Sequence, residues 1–393
     1  MAAEAMILAG VRTPIGAMNG AFSSVPAPDL GAVCIKQALK NAGVDPERVD
    51  EVIMGNVVGA AIGQNPARQA AIKGGIPPSV GATTVNKVCG SGLKAVMLAT
   101  QSIRAGEGQV FVAGGMENMT LAPYLLTKAR QGYRMGHGEL LDAMIVDGLW
   151  DVYGNKHMGV YGDQCAVKCN FSKEDQDAFA VRSFTRARKA VADGVFKDEI
   201  VPVSITVKKQ TTLVTEDEGP ARFDEAKLRA LKPAFAEKGT ITAGNASSIN
   251  DGAAALVLAS DRVCEARKLK PIARVAGMST FSREPEWFTL APIGALRKLL
   301  DQVGWSVNTT DLFEINEAFA AVTMAAERDL AIPAEKVNIY GGAVALGHPI
   351  GCSGARILVT LLTGLRRTGG KRGVACLCIG GGEAVALAVE TVG

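Results

Sequence analysis

Four short segments of this chain carry side chains able to do chemistry. Cys89 lies in Val85-Asn86-Lys87-Val88-Cys89-Gly90-Ser91-Gly92, where a strand pattern gives way to a helix pattern. Unpaired backbone N–H groups and the helix dipole at such a junction favour a thiolate, and the adjacent glycines leave the turn open to a ligand. The competing reading is a small buried hydrophobe, the common fate of a cysteine. His348, in Gly347-His348-Pro349-Ile350-Gly351, is one of only three histidines, and its Gly/Pro-rich turn before a helix suits an acid/base group. Asn316 is expected to start a helix in Glu314-Ile315-Asn316-Glu317-Ala318-Phe319, where its amide either caps the helix or positions a water and polarises a carbonyl. Cys378 shares one strand face with Cys376, and with Cys165 and Cys169 at helical spacing the set allows a zinc or redox reading, although thiols filling a core are the commoner case. The glycines after Cys378 lack the Gly-Lys-Ser/Thr or dinucleotide spacing of a phosphate loop.

The elements that must hold these groups follow an α/β grammar. Ala5 to Ala9 reads as a strand, and Asp29 as the cap of a helix stopped by Gly43. Strands follow at Val49 to Val57 and Thr83 to Val88, then a helix from the Cys89 turn to about Ile103 closed by Gly106, and a strand from Val110. The pattern recurs at a period near 260: the helix ending at Gly43 and the strand before Asn56 match a helix ending at Gly304 and the strand before Asn316. Ser91-Gly92 likewise matches Ser353-Gly354, and Gly114-Gly115-Met116-Glu117 aligns with Gly380-Gly381-Gly382-Glu383. So long a period means two duplicated domains rather than a solenoid of ~20–50-residue units. The two repeated turns, carrying Cys89 and His348, are then expected to meet at one cleft. Between the copies, residues 119–249 have a different texture, with more charge, most of the aromatics, His137 and His157, and a helix opened by Ser172 with Asp175 and closed by Gly194. Residues 196–240 read as a surface flap.

Composition narrows the class. A chain of 393 residues is long enough for two or three domains. With 42 Lys and Arg against 39 Asp and Glu, spread without runs, there is no electrostatic footprint for nucleic acid or an acidic membrane. Apolar stretches are interrupted by Asn56, Gln64, His348 or Glu383 before they reach bilayer-spanning length. No signal or transit peptide is read ahead of the first strand, which suggests the cytoplasm, where the eight cysteines stay reduced.

Taken together, the Cys89 segment, the Gly-His-Pro segment, the Cys378-x-Gly-Gly-Gly segment and Asn316-Glu317-Ala318-Phe319 resemble the thiolase family along essentially the whole chain, and within it the members that make or cleave acetoacetyl-CoA. The resemblance implies two duplicated mixed α/β halves stacked as five layers, αβαβα. The N-terminal half would be 1–118, completed by about 250–270, the C-terminal half 271–393, and 119–249 a loop domain receiving coenzyme A. It implies a nucleophilic Cys89 activated by His348, a second acid/base Cys378, and Asn316 holding a water in an oxyanion hole with His348. A second oxyanion hole would come from the backbone N–H groups of Cys89 and Gly380. His157-Met158 resembles a motif that narrows the acyl pocket, and Ser247, Ala318 and Phe319 would lie along the acyl-pantetheine path. The substrates implied are acetyl-CoA, acetoacetyl-CoA and CoA itself, with no separate cofactor and no metal, in a homotetramer or dimer within fatty acid metabolism. Departures from the family pattern are Tyr161-Gly162-Asp163, Ser248 and Tyr340. The alternatives are a degradative 3-ketoacyl-CoA thiolase for longer chains, a non-catalytic acyl-CoA binder, a 3-ketoacyl-carrier-protein synthase, against which Cys378 argues, and, from a different class, a thiol-based metal or redox protein.

Overall fold

The computed structural model describes residues 3–392. Its spine is one mixed sheet in which the strands run, from edge to edge, Gly81–Val85, Glu51–Gly55, Val110–Asn118, Asn250–Ser260, Ala5–Arg12, Ala273–Ser282, Glu383–Thr391, Arg372–Ile379 and Leu312–Ile315. The two repeats join where Met6 and Ile7 pair antiparallel with Arg274 and Ala273. On either side of that seam the order is the same: an antiparallel pair, then a parallel strand outside it.

Side chains alternate across these strands with a period of two, and the alternation defines the layers. From Asn250–Ser260, Ala254, Leu256 and Leu258 enter one core, while Ala255, Val257 and Ala259 enter another. From Glu383–Thr391, Val385, Leu387 and Val389 enter the first core, while Ala384, Ala386 and Ala388 enter a third. The shared first core also receives Leu93, Val96 and Ile103 from helix Ser91–Ala105 and Ile357, Leu358 and Leu361 from helix Ile350–Thr368, so these two helices form the middle layer. Ile350 to Leu365 is buried without a break, as expected for a helix with protein on every side. Helices Ala27–Ala42 and Pro66–Lys73 cover one outer face, and Ala291–Val303 and Ala320–Asp329 the other, which completes five layers.

The two middle helices touch at their first turns. A Cβ on Gly92 would stand 2.7 Å from the Ala355 nitrogen, and one on Gly354 2.2 Å from the Leu93 nitrogen, so only glycine allows this crossing. It brings the repeated Ser-Gly pairs face to face.

Strand pairing corrects part of the internal alignment. Gly55, just before Asn56, pairs with Gly115, and Ile315, just before Asn316, pairs with Cys376. Gly115 therefore corresponds to Cys376 and Glu117 to Cys378; the glycine runs at 114 and 380 are not equivalent positions. Asn316 is also not a helix cap: the helix begins at Ala320, and Asn316 sits in extended chain with its N–H donated to Cys376 O (2.9 Å). Asp29 lies in the first turn of a helix that already starts at Ala27, behind Pro26.

Between the halves, Ser172 and Asp175 form the expected capping box of helix Lys173–Ala192. A second helix, Met158–Cys169, was not foreseen. The charged stretch after Gly194 holds a hairpin, Val203–Val207 with Gln210–Val214. It is tied to the first strand by Arg12, whose fully buried guanidinium meets Glu199 (2.6 Å) and Asp217 (2.6 and 2.9 Å). Burial alone would lower the Arg12 pKa, but the two carboxylates outweigh it and hold the charge firmly.

Candidate active site

Cys89 stands on a sharp turn between Val85 and the helix at Ser91. Val88 before it adopts φ 45°, a left-handed conformation that a β-branched residue takes only when its surroundings impose it. The restraints are local. Val88 N–H donates to Asn86 Oδ1 (3.0 Å), and Ser91 Oγ accepts from Lys87 N–H (2.8 Å) while donating to Val88 O (2.6 Å). Lys87 Nζ also pairs with Glu383 of the other half. The sulfur, half-buried, faces the backbone N–H groups of Gly380 and of Cys89 itself. These two donors pull its pKa down, yet burial wins and pushes the thiol up to about 11, helped by the charge of Glu117. The helix start therefore does not by itself make a thiolate, contrary to the expectation from sequence. Cys378, near Cys89, is pushed well above the ordinary thiol range by burial and then by the neighbouring thiols, and its own backbone N–H, which pulls the other way, is outweighed.

His348 is fixed on three sides. Its backbone N–H donates to Asn250 Oδ1 (3.0 Å), its ring Nδ1 meets Ser353 Oγ (2.5 Å), and Ser353 Oγ donates to Pro349 O (2.9 Å). Nε2, and both amide atoms of Asn316, are buried without a protein hydrogen-bond partner, which leaves them for a substrate oxygen or a bridging water. Burial, reinforced by the Arg356 charge, lowers the His348 pKa to about 3, so the ring is a neutral base.

That shift has a measurable consequence for stability. The unfolded imidazole titrates near 6.5, so below that pH the unfolded chain binds a proton that the native chain refuses. The contribution is complete above 6.5 and is lost as pH falls towards 3, by up to about 1.4 kcal/mol per pH unit. His348→Asn should flatten this limb in urea unfolding titrations, and an unchanged slope would contradict the assignment.

The second thiol packs in an apolar cluster. Cys378 shares a cluster with Tyr161, Ile241, Ala246, Phe288, Ala318, Phe319 and Met158. Met158 Sδ and Cε lie 3.4 Å from where a Cβ on Gly380 would stand, which places Met158 directly beside the Gly380 backbone. Phe319 is met edge-on by Phe235 and Phe288, with ring centroids 6.3 and 6.5 Å away. His157 caps helix Met158–Cys169 by accepting from Gly159 N–H (3.1 Å), and it stacks on Phe235 at 4.7 Å. Ser247 donates both N–H and Oγ–H to Ala318 O (3.0 Å each), zipping its loop to the Asn316 segment. Tyr161-Gly162-Asp163 fits this packing: a Cβ on Gly162 would press on Phe319 at 3.2 Å, and Asp163 Oδ1 accepts from Thr240 and Ile241 N–H (2.7 and 2.9 Å).

Of the ten residues singled out in the sequence, Cys89, Gly380 and Cys378 lie near one another, and Met158, Ala318 and Phe319 share the Cys378 cluster. His157 and Ser247 are joined to its members, and Asn316 and His348 stand on their own segments with free polar atoms. Sequence reasoning missed Ser353 and Asn250 behind His348, Phe235 and Phe288 in the apolar cluster, and Glu117. Only Ser353, one turn into the helix after His348, had a readable signal. The four cysteines of the metal reading divide differently: Cys165, Cys169 and Cys376 sit in the outer core and Cys378 in the neighbouring cluster. Among the described residues, no group of three or more His, Cys, Asp or Glu is placed to hold a metal ion.

The profile described as "Thiolase, N-terminal domain" matches residues 5–262, and "Thiolase, C-terminal domain" matches 269–391. The chain belongs to the thiolase family. Thiolase relatives match it end to end. An acetyl-CoA acetyltransferase of Pseudomonas aeruginosa is 49% identical over 98% of both chains, and acetyl-CoA acetyltransferase 2 of Arabidopsis thaliana is 51% identical over 98% of this chain and 97% of its own. The Bacillus anthracis acetyl-CoA acetyltransferase superposes with a TM-score of 0.97 at 42% identity, covering 100% of this chain and 99% of its own. A thiolase from Ascaris suum in complex with coenzyme A gives 0.94 at 42%, covering 99% and 100%.

Proposed function

We propose that this thiolase is an acetyl-CoA C-acetyltransferase, joining two acetyl-CoA into acetoacetyl-CoA and CoA, or cleaving acetoacetyl-CoA by thiolysis, through an acyl group carried on Cys89. The observation that carries the reading is the meeting of Cys89, the Gly380 N–H and Cys378 beside the apolar cluster that includes Met158 and Phe319. A Claisen condensation must stabilise a tetrahedral oxyanion and an enolate, so it needs a nucleophile, an α-proton base and two sets of donors. Cys89 attacks the thioester carbonyl as His348 takes its proton. The Cys89 and Gly380 N–H groups receive the first oxyanion, which collapses to acetyl-Cys89 as the CoA thiolate leaves and takes its proton from Cys378. The Cys378 thiolate then removes the α-proton of the second acetyl-CoA, whose enolate oxygen is met by the now protonated His348 Nε2 and the Asn316 water. The enolate carbon attacks the acetyl-Cys89 carbonyl, acetoacetyl-CoA is released, and the Cys89 sulfur regains its proton from His348. Each thiol resists ionising alone in this dry site. Ionisation of Cys89 is therefore tied to attack, when the developing negative charge moves onto an oxygen with donors waiting.

No cofactor is required beyond coenzyme A, which is a substrate. Residues 119–249 form the lobe that receives it, with His157, Ser247, Ala318 and Phe319 along the pantetheine. The open edge at Gly81–Val85 and the exposed Tyr124, Met135, Leu140, Val152 and Tyr153 support a homodimer or homotetramer. No described helix is long and apolar enough to cross a membrane. Eight free thiols accord with the cytoplasm, and acetoacetyl-CoA chemistry with fatty acid metabolism.

The deciding experiment is kcat/KM for thiolysis across 3-ketoacyl-CoA chain lengths. Met158 and Phe319 should confine the enzyme to short chains, because each extra methylene forced into a packed apolar cluster costs about 1–3 kcal/mol. Acetoacetyl-CoA should therefore lead 3-ketooctanoyl-CoA by at least ~100-fold, and Met158→Ala should narrow the gap. Equal cleavage of the longer substrate would replace this reading by a degradative 3-ketoacyl-CoA thiolase.

A further inference from the structure

Two buried carboxylates that the chemistry above does not use grip the turn that carries His348. Glu117, at the end of strand Val110–Asn118, accepts through Oε2 from the Gly351 N–H (2.9 Å) and the Val57 N–H (3.1 Å), and through Oε1 from the Asn56 amide (2.8 Å) and the Val58 N–H (3.2 Å). Glu317, next to Asn316, accepts through Oε2 from the Val344 N–H (3.1 Å) and the Ser183 hydroxyl (2.7 Å), and through Oε1 from the Asn338 amide (2.8 Å). Gly351 and Val344 lie on opposite sides of His348, so the turn is held at both ends.

These are costly residues to bury. Both are at most 1% exposed, and neither belongs to the fully buried ion pairs, which are Arg12 with Glu199 and Asp217 and Arg356 with Glu314. A buried carboxylate without a cation is tolerated only when donors surround it, and such sites gather where function needs them. Burial accordingly pushes Glu117 up to about 7 while the Gly351, Val57 and Val58 N–H groups pull it back. The register adds a second argument. Glu117 occupies the place in its half that Cys378 occupies in the other, so one copy of the position faces Cys89 while its counterpart holds the His348 turn.

We propose that Glu117 and Glu317 are positioning residues that bracket the His348 turn, one from each half, and so fix the imidazole for its work on Cys89. This rests on the reading of His348 as the group that activates Cys89. An opposing account makes the opposite forecast. The Glu117 charge raises the Cys89 pKa, so if charge were its whole effect, removing it would make the sulfur more reactive.

The test is the rate of Cys89 alkylation by iodoacetamide at fixed pH, with kcat normalised to acylatable Cys89. Glu117→Gln puts an amide donor against backbone donors. It should slow alkylation and lower normalised kcat by ~10-fold or more, with KM for acetyl-CoA almost unchanged, because a displaced catalytic group costs rate rather than binding. Glu317→Gln should do the same from the other side, and it keeps the proposal testable should Glu117→Gln not fold. The double variant Glu117→Gln/His348→Ala should be no slower than His348→Ala alone. Faster alkylation in Glu117→Gln, or additive losses in the double variant, would overturn the bracket. His348→Ala alkylated at the wild-type rate would instead overturn the underlying reading of His348.

Discussion

Cys89→Ala is expected to lose the acetyl-enzyme and at least ~10⁴-fold in turnover, the scale on which an enzyme depends on its covalent nucleophile. Intact mass of the wild-type chain after exposure to acetyl-CoA should rise by one acetyl group, and the variant's should not change. The argument rests on the turn. Val88 at φ 45° presents the sulfur to the Gly380 and Cys89 N–H groups, so attack delivers the carbonyl oxygen to donors already in place, with no reorganisation at the moment of reaction. No other thiol has that setting: Cys34, Cys165, Cys169, Cys264, Cys352, Cys376 and Cys378 are all buried, whereas Cys89 is half-open. An acetyl adduct that survives in Cys89→Ala and maps elsewhere would end this assignment.

The second large effect separates the two halves of the reaction. Cys378→Ala should still form acetyl-enzyme, because acylation needs Cys89, His348 and the first set of donors, and solvent can protonate the departing CoA thiolate in place of Cys378. Condensation should fall by ~10³-fold, within the usual range for removing a positioned acid/base. The specific signature is loss of exchange of acetyl α-protons with deuterated water. His348→Ala should depress acylation and exchange together, since one imidazole serves both steps. With Cys378 pushed well above the ordinary thiol range, the thiol form is the resting state, and it becomes a base by giving its proton to the CoA thiolate released on acylation. Should Cys378→Ala exchange α-protons at the wild-type rate, another group is the base.

Much of this site was legible because its parts are local. Cys89, His348, Cys378 and Asn316 each sit in a short segment whose glycines, proline or neighbouring acid mark a turn, and the repeat told that two such turns meet. What stayed hidden depends on long-range packing. Asn316 looked like a cap because asparagine before an apolar run commonly is one; the N–H it gives to Cys376 O holds it extended, and its amide is thereby freed. The glycine runs at 114 and 380 looked equivalent because glycine is conspicuous, while the register that sets the true correspondence lies in backbone pairing, which composition does not encode. The sign of the Cys89 shift was also unreadable: a helix start is a local feature, whereas the burial that overrides it comes from residues distant along the chain, Val57, Val58, Met119, Ala143, Met144 and Ile350. Glu117 gave no signal, since its four donors come from segments that lie far from it along the chain.

The crossing of the middle helices at Gly92 and Gly354, together with the strand pairing at Met6 and Ile7, leaves no plane along which the two halves can part. Enzymes built from two lobes commonly admit substrate by swinging one lobe from the other. Here such a hinge would have to tear a sheet and separate backbones already in contact. On the proposed reading, entry and exit of a ligand as long as coenzyme A would be managed at the rim, by segments between residues 119 and 249, while the two joined halves serve as the frame for the chemistry. Variation among relatives in speed of product release should accordingly track the rim, and variation in the bond-making step should track the frame.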